Sequence, residues 1–145
     1  MVMGNRFREK YHLIDHTADF GIHVSGTNSK DLFANAAQAL FDVITDIDSL
    51  TGQDSCHLEV SGEDWSDLMV NWLREILYLW NGKERLVKSV NITALSANKL
   101  SAKVVFDPYD PDRHTVITEI KAVTYHQIQV KRTPSGWSAR IIFDI

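Results

Sequence analysis

The chain has very little cysteine, no basic excess and no long apolar run. A single cysteine, Cys56, in 145 residues excludes an intramolecular disulfide and any four-cysteine zinc site. Ser55-Cys56-His57-Leu58-Glu59-Val60 alternates like a strand, which predicts a small buried hydrophobe at Cys56 rather than a nucleophile. No apolar stretch approaches the roughly 20 residues of a membrane-spanning helix. The first ten residues, with Arg6, Arg8 and Lys10, lack the apolar segment of a secretory signal. The expectation is a cytoplasmic protein with no membrane partner, in which Asn91-Ile92-Thr93 matches the glycosylation pattern by chance. Lys and Arg total 15 against 19 Asp and Glu, a net charge of -4. That balance argues against strong direct nucleic-acid binding through phosphates, but leaves room for a protein that assists an RNA enzyme. Phosphate-binding GxxxxGK[ST] and GxGxxG loops, the GxSxG elbow and the HExxH zinc motif are all missing.

What is present is ordinary for a globular chain: 44% hydrophobic and 23% charged residues, enough for one domain with a real core. Residues 1–10 read as a flexible leader and 11–145 as a single domain. Tyr11 to Asp15 and Phe20 to Gly26 read as strands. Leu32, Phe33, Ala36, Ala37, Leu40, Phe41 and Ile44 recur at helical spacing behind a cap at Asn28 or Ser29. A strand near Cys56 to Ser61 leads to a second helix, capped by Asp64 and stopped at Gly82. That helix carries Trp65, Trp72 and Trp80. Their spacing predicts core, with Trp80 the most exposed. Strands follow over Leu86 to Ala97 and Lys99 to Asp107. Next come a Pro-bounded loop with Arg113 and His114 on the solvated surface, a long strand from Thr118 to Arg132, and a hairpin into Trp137 to Ile145. The predicted class is α+β, two amphipathic helices packed on a mostly antiparallel sheet, with no internal repeat.

Polar residues gather at the two ends. Asp15-His16-Thr17-Ala18-Asp19-Phe20-Gly21 lies near the start, and Asp144-Ile145 closes the sequence. If Asp144 and the main-chain carboxylate of Ile145 are held in a sheet near Asp19, the oxygen-only donors suit a hard divalent ion such as calcium or magnesium. Two alternatives remain open at this stage. Arg140 or Lys121 could neutralise the cluster as an ion pair, and Asp15, Thr17 and Asp19 could simply shape a turn. In a continuous strand, Lys121 and Tyr125 would share one face, and Thr124 and His126 the other. The Lys121 face is expected towards the carboxylates.

The segments just quoted, with Gly62-Glu63-Asp64, Leu68-Met69-Val70-Asn71-Trp72-Leu73, Lys121-Ala122-Val123-Thr124-Tyr125-His126 and Phe143-Asp144-Ile145, resemble the archease family over Tyr11 to Ile145. Phe20 stands where Ile or Val is commoner. The resemblance implies a non-enzymatic, chaperone-like cofactor of the GTP-dependent RNA-splicing ligase, promoting ligase guanylylation and multiple turnover in tRNA splicing and RNA repair. It implies a divalent cation, calcium foremost with magnesium or manganese as alternatives, on Asp19, Asp144 and Ile145. Asp15, His16, Lys121, Tyr125 and His126 are then candidate functional neighbours. The partner would be the ligase, with tRNA engaged only indirectly. The competing reading is a stand-alone metal-dependent hydrolase using Asp19, Asp144 and His16, the last as general base.

Overall fold

The computed structural model describes residues 11–15 and 19–145, with the backbone alone for residues 12–15. The leader expected over residues 1–10, and His16, lie outside the described residues. In chain order the elements are β1 (Tyr11–Asp15), β2 (Asp19–Gly26), α1 (Ser29–Ile44), a 3-10 turn (Ile47–Ser49), β3 (Asp54–Ser61), α2 (Trp65–Asn81), β4 (Arg85–Leu95), β5 (Lys99–Pro108), β6 (Ala122–Val123), β7 (Gln129–Thr133) and β8 (Gly136–Asp144). All strand pairings are antiparallel. The strands make two sheets rather than one. The first runs β1-β2-β8-β6 with β7 also on β8, and the second runs β3-β5-β4. No helix among the described residues is long and apolar enough to cross a membrane.

Both helices touch both sheets, and this explains their composition. α1 buries residues on most of its circumference, including Leu32, Phe33, Ala36, Leu40, Phe41 and Ile44. A helix apolar nearly all round is stable only when enclosed. α2 buries Leu68, Met69, Trp72, Leu73, Ile76 and Leu77. Trp72 is fully buried and its Nε1 donates to the Phe33 carbonyl at 2.9 Å, tying the helices together. Trp65 and Trp80 are half-buried, Trp65 edge-on to Trp137 and Trp80 edge-on to Tyr109. Cys56 is half-buried against the core, which covers it less fully than expected.

The expectation of no internal repeat fails. Ser25-Gly26-Thr27-Asn28-Ser29-Lys30-Asp31-Leu32-Phe33-Ala34-Asn35 and Ser61-Gly62-Glu63-Asp64-Trp65-Ser66-Asp67-Leu68-Met69-Val70-Asn71 match at Ser, Gly, Asp, Leu and Asn with equal spacing. Both build the same strand-to-helix corner. Asn28 and Asp64 cap their helices by accepting from Asp31 N and Asp67 N. Asp31 and Asp67 each accept in return from the backbone N–H of the residue before the cap, Thr27 or Glu63. Asn35 and Asn71 each donate to the carbonyl of the serine, Ser25 or Ser61, at 2.9 Å. A Cβ on Gly26 or Gly62 would fall 2.4 or 2.6 Å from the backbone nitrogen of Leu32 or Leu68, so only glycine lets the strand end meet the helix.

Two further expectations need correction. The single strand over Thr118 to Arg132 is broken. Val123 pairs with Phe143 and Gln129 with Arg140, so residues 124–128 stand opposite only Ile141 and Ile142. The excess is thrown out as a turn closed by Ile128 N to Tyr125 O, with Gln127 at φ 50°. His114 is not solvated surface but only 5% exposed. Its Nδ1 accepts from Asp110 N at 2.9 Å, and its Nε2 lies 3.4 Å from Asp107 Oδ2. Asp107 is itself fully buried and accepts backbone N–H bonds from Thr51, Gly52 and Gln53. That fastens the loop before β3 to the end of β5.

Candidate functional site

The register of the central pair decides what meets what. β2 and β8 run antiparallel with Asp19 opposite Asp144, Phe20 opposite Phe143 and Ile22 opposite Ile141. The apolar partners are driven into the core, with Ile22, Ile141 and Phe143 all fully buried. A slip by one residue would turn that whole set outward, so core burial locks Asp19 against Asp144. On β8's other side, Ala122 of β6 pairs with Asp144, and Lys121 N donates to the Asp144 carbonyl at 2.8 Å. Asp15 pairs with Phe20, bringing the end of β1 to the same end of the sheet.

Directly opposed residues of an antiparallel pair share a face, and like charges there are destabilising. Asp19 is half-buried, and Asp144 and Ile145 are exposed. Neither carboxylate side chain has a hydrogen bond or ion pair among the described residues. The ion-pair alternative finds no contact there either: Arg140 Nη2 donates instead to Gln127 Oε1 at 2.9 Å. The donor set is oxygen alone, which fits a hard divalent cation. Among the described residues no three His, Cys, Asp or Glu side chains converge as a metal-binding group.

The remaining candidates separate. Lys121 is exposed and its backbone is fixed beside Asp144. Tyr125 is carried away by the turn: its hydroxyl donates to Asp67 Oδ1 on α2 at 2.5 Å, and Arg74 lies over its ring. That bond, then the Glu63 N–H, holds the Asp67 carboxyl below its ordinary range; the same bond raises the Tyr125 phenol. His126 is exposed, and its backbone N–H donates to Thr124 Oγ1. The side chain of Asp15 and all of His16 are outside the described residues. Sequence reading missed the Asp107–His114 pair and the Asp67–Tyr125–Arg74 group. The repeated corner motif, which places Asp67 at a helix start, could have signalled the latter.

These features define a class: a small α+β protein with two helices held against two antiparallel sheets, and a pair of acidic residues in register at one sheet end. Comparison narrows it. The chain matches the archease protein family over residues 11–145. It is 36% identical over 135 residues to the protein archease of Methanopyrus kandleri, covering 91% of this chain and 96% of that one. It is 35% identical over 141 residues to the protein archease of Methanosarcina acetivorans, covering 94% and 97%. The fold is similar to the solution structure of Methanobacterium thermoautotrophicum protein 1598, with a TM-score of 0.78 at 25% identity over 94% of this chain and 99% of that one. It is also similar to the crystal structure of an archease, possible chaperone, from Thermotoga maritima, with a TM-score of 0.63 at 20% identity over 91% and 94%. The chain belongs to the archease family.

Proposed function

We propose that this chain is a divalent-metal-binding accessory protein that activates a GTP-dependent RNA-splicing ligase and does not itself ligate RNA. The observation that carries the reading is the pairing of Asp19 with Asp144, two carboxylates set opposite one another with no cationic partner among the described residues. Asp19, Asp144 and Ile145 would hold the ion, calcium in the first instance, which supplies positive charge between groups that otherwise repel. Lys121, exposed and anchored through its backbone to Asp144, would meet an anionic group of the partner. The net charge of -4 suits a partner whose RNA-binding surface is basic. Membership of the family and the acidic sheet end support a role in promoting guanylylation and turnover, in a cytoplasmic setting.

The test is an RNA-joining assay with purified ligase, alone and with this protein. Acceleration only in the mixture, lost in Asp144→Ala that keeps the wild-type spectrum, supports the accessory role. Wild-type stimulation by a folded Asp144→Ala would remove it. Hydrolysis by the protein alone, dependent on a divalent ion and on His16, would instead favour the hydrolase.

A further inference from the structure

The two strand-to-helix corners have the same bonds but different surroundings. At the second corner the polar groups are covered by the chain itself. Asn98 Nδ2 donates to the carbonyls of Gly62 and Glu63, the Gly62 N–H donates to the Asn98 carbonyl, and the Tyr125 hydroxyl donates to Asp67 Oδ1. At the first corner the β8 backbone covers Gly26, which pairs with Trp137 and packs against Gly136, but among the described residues nothing donates to Asp31 Oδ1. A cavity of about 570 Å³ opens there instead, lined by Ser25, Thr27, Asp31, Asn35, Lys131 and Ser138 among others. Its volume falls in the range of small-molecule sites.

Two of these side chains are more than nine-tenths buried yet keep unused bonding capacity. Ser138 is 6% exposed and its hydroxyl has no partner among the described residues. Asn35 is 4% exposed; its amide nitrogen serves Ser25, while its Oδ1 has no partner there. Asp31 spends Oδ2 on Thr27 and leaves Oδ1 open, the atom whose counterpart on Asp67 takes a hydroxyl. These unpartnered atoms stay accessible from the cavity, so they are free to bond a polar occupant. Ser25 and Lys131 both pair in register with Ser138, which lays Ser25, Ser138 and Lys131 in one row across β2, β8 and β7 on one face. Two hydroxyls and an ammonium in a row suit the oxygens of a phosphate. Asp31 and Asn35 suit the hydroxyls of a sugar, as an acidic side chain does for a ribose elsewhere.

The geometry points to this cavity as a binding site for a sugar phosphate of nucleotide size, its phosphate on the Lys131 row and its hydroxyls on Asp31 and Asn35. The site is separate from the Asp19–Asp144 end and does not depend on the metal reading. The test is amide chemical-shift titration of the full chain with adenosine monophosphate, ribose 5-phosphate, inorganic phosphate, adenosine and a short single-stranded RNA. Saturable shifts confined to residues 23–35 and 131–138 are expected with both sugar phosphates, with dissociation constants of about 1 mM or tighter. Lys131→Met should weaken them about tenfold, since a charge-assisted bond is lost. Lys103→Met, exposed on β5, should leave them unchanged. No saturation by either sugar phosphate, equal binding of inorganic phosphate, saturation by the RNA alone, or indifference to Lys131→Met would each overturn the proposal. Asp31 lies in the helix cap, so Asn35→Asp, which alters the charge at the sugar end and keeps the size, serves as the second variant. It should weaken both sugar phosphates, and unchanged affinity would count against the assignment.

Discussion

Asp107 shows how a single buried charge can organise a loop. Burial alone would raise its carboxyl, but the N–H groups of Thr51, Gln53 and Gly52 outweigh that and hold it below the ordinary range. A lowered folded-state value means the stabilisation is present above the unfolded value and is lost as pH falls through the folded one. Asp107→Ala strands three backbone donors and leaves His114 Nε2 without a neighbouring carboxylate. It should cost about 3 kcal/mol in urea unfolding at neutral pH. The difference from wild type should shrink on acidification; a constant difference down to the acid limb would assign the effect to packing. Tyr125→Phe isolates the other charged group. With the phenol gone, the Asp67 carboxyl should titrate closer to its ordinary value in a carbon-detected pH series, while the α2 cap bond to Asp64 persists.

Elements were legible in the sequence where periodicity meets a buried face. α1 and α2, with their caps at Asn28 and Asp64, could be read from spacing and cap chemistry because both depend on neighbours within a turn. The break between β6 and β7 could not. Residues 118–132 alternate well enough for one strand, but Asp67 and Arg74 on a distant helix draw Tyr125 out of line, and no local pattern encodes that pull. His114 was misread for the same reason, since its burial depends on Asp107 and on loop segments joined only by the fold. The meeting of Asp19 with Asp144 was expected from sequence, whereas the corner repeat was visible there and overlooked. The two corners also differ in how much each asparagine matters. Asn35 is buried and Asn71 half-buried. Asn35→Ala should therefore cost about 2 kcal/mol and Asn71→Ala about 1 kcal/mol or less, measured by chemical unfolding of both variants.

At the scale of the whole molecule, the proposed ion site between the opposed acids predicts a stability that responds to divalent ions. In a chelator, Asp144→Asn should stabilise the protein by a few tenths of a kcal/mol, because it relieves repulsion from Asp19. Calcium should raise the melting temperature of wild type more than that of the variant, by mass action on the folded state. Equal calcium responses in thermal scans would count against an ion between these residues.

α2 covers the β6 side of the first sheet: Arg74 Nε donates to the Val123 carbonyl at 3.2 Å and Asn81 Nδ2 to the Ile120 carbonyl at 3.0 Å. These carbonyls are the groups that a neighbouring chain would need in order to add a strand. Arg74→Ala with Asn81→Ala should therefore make the chain self-associate more with rising concentration than the unsubstituted protein does, visible as growing light scattering before any loss of helical signal. Two side chains away from the acidic end thus shield this strand border from a second copy of the chain.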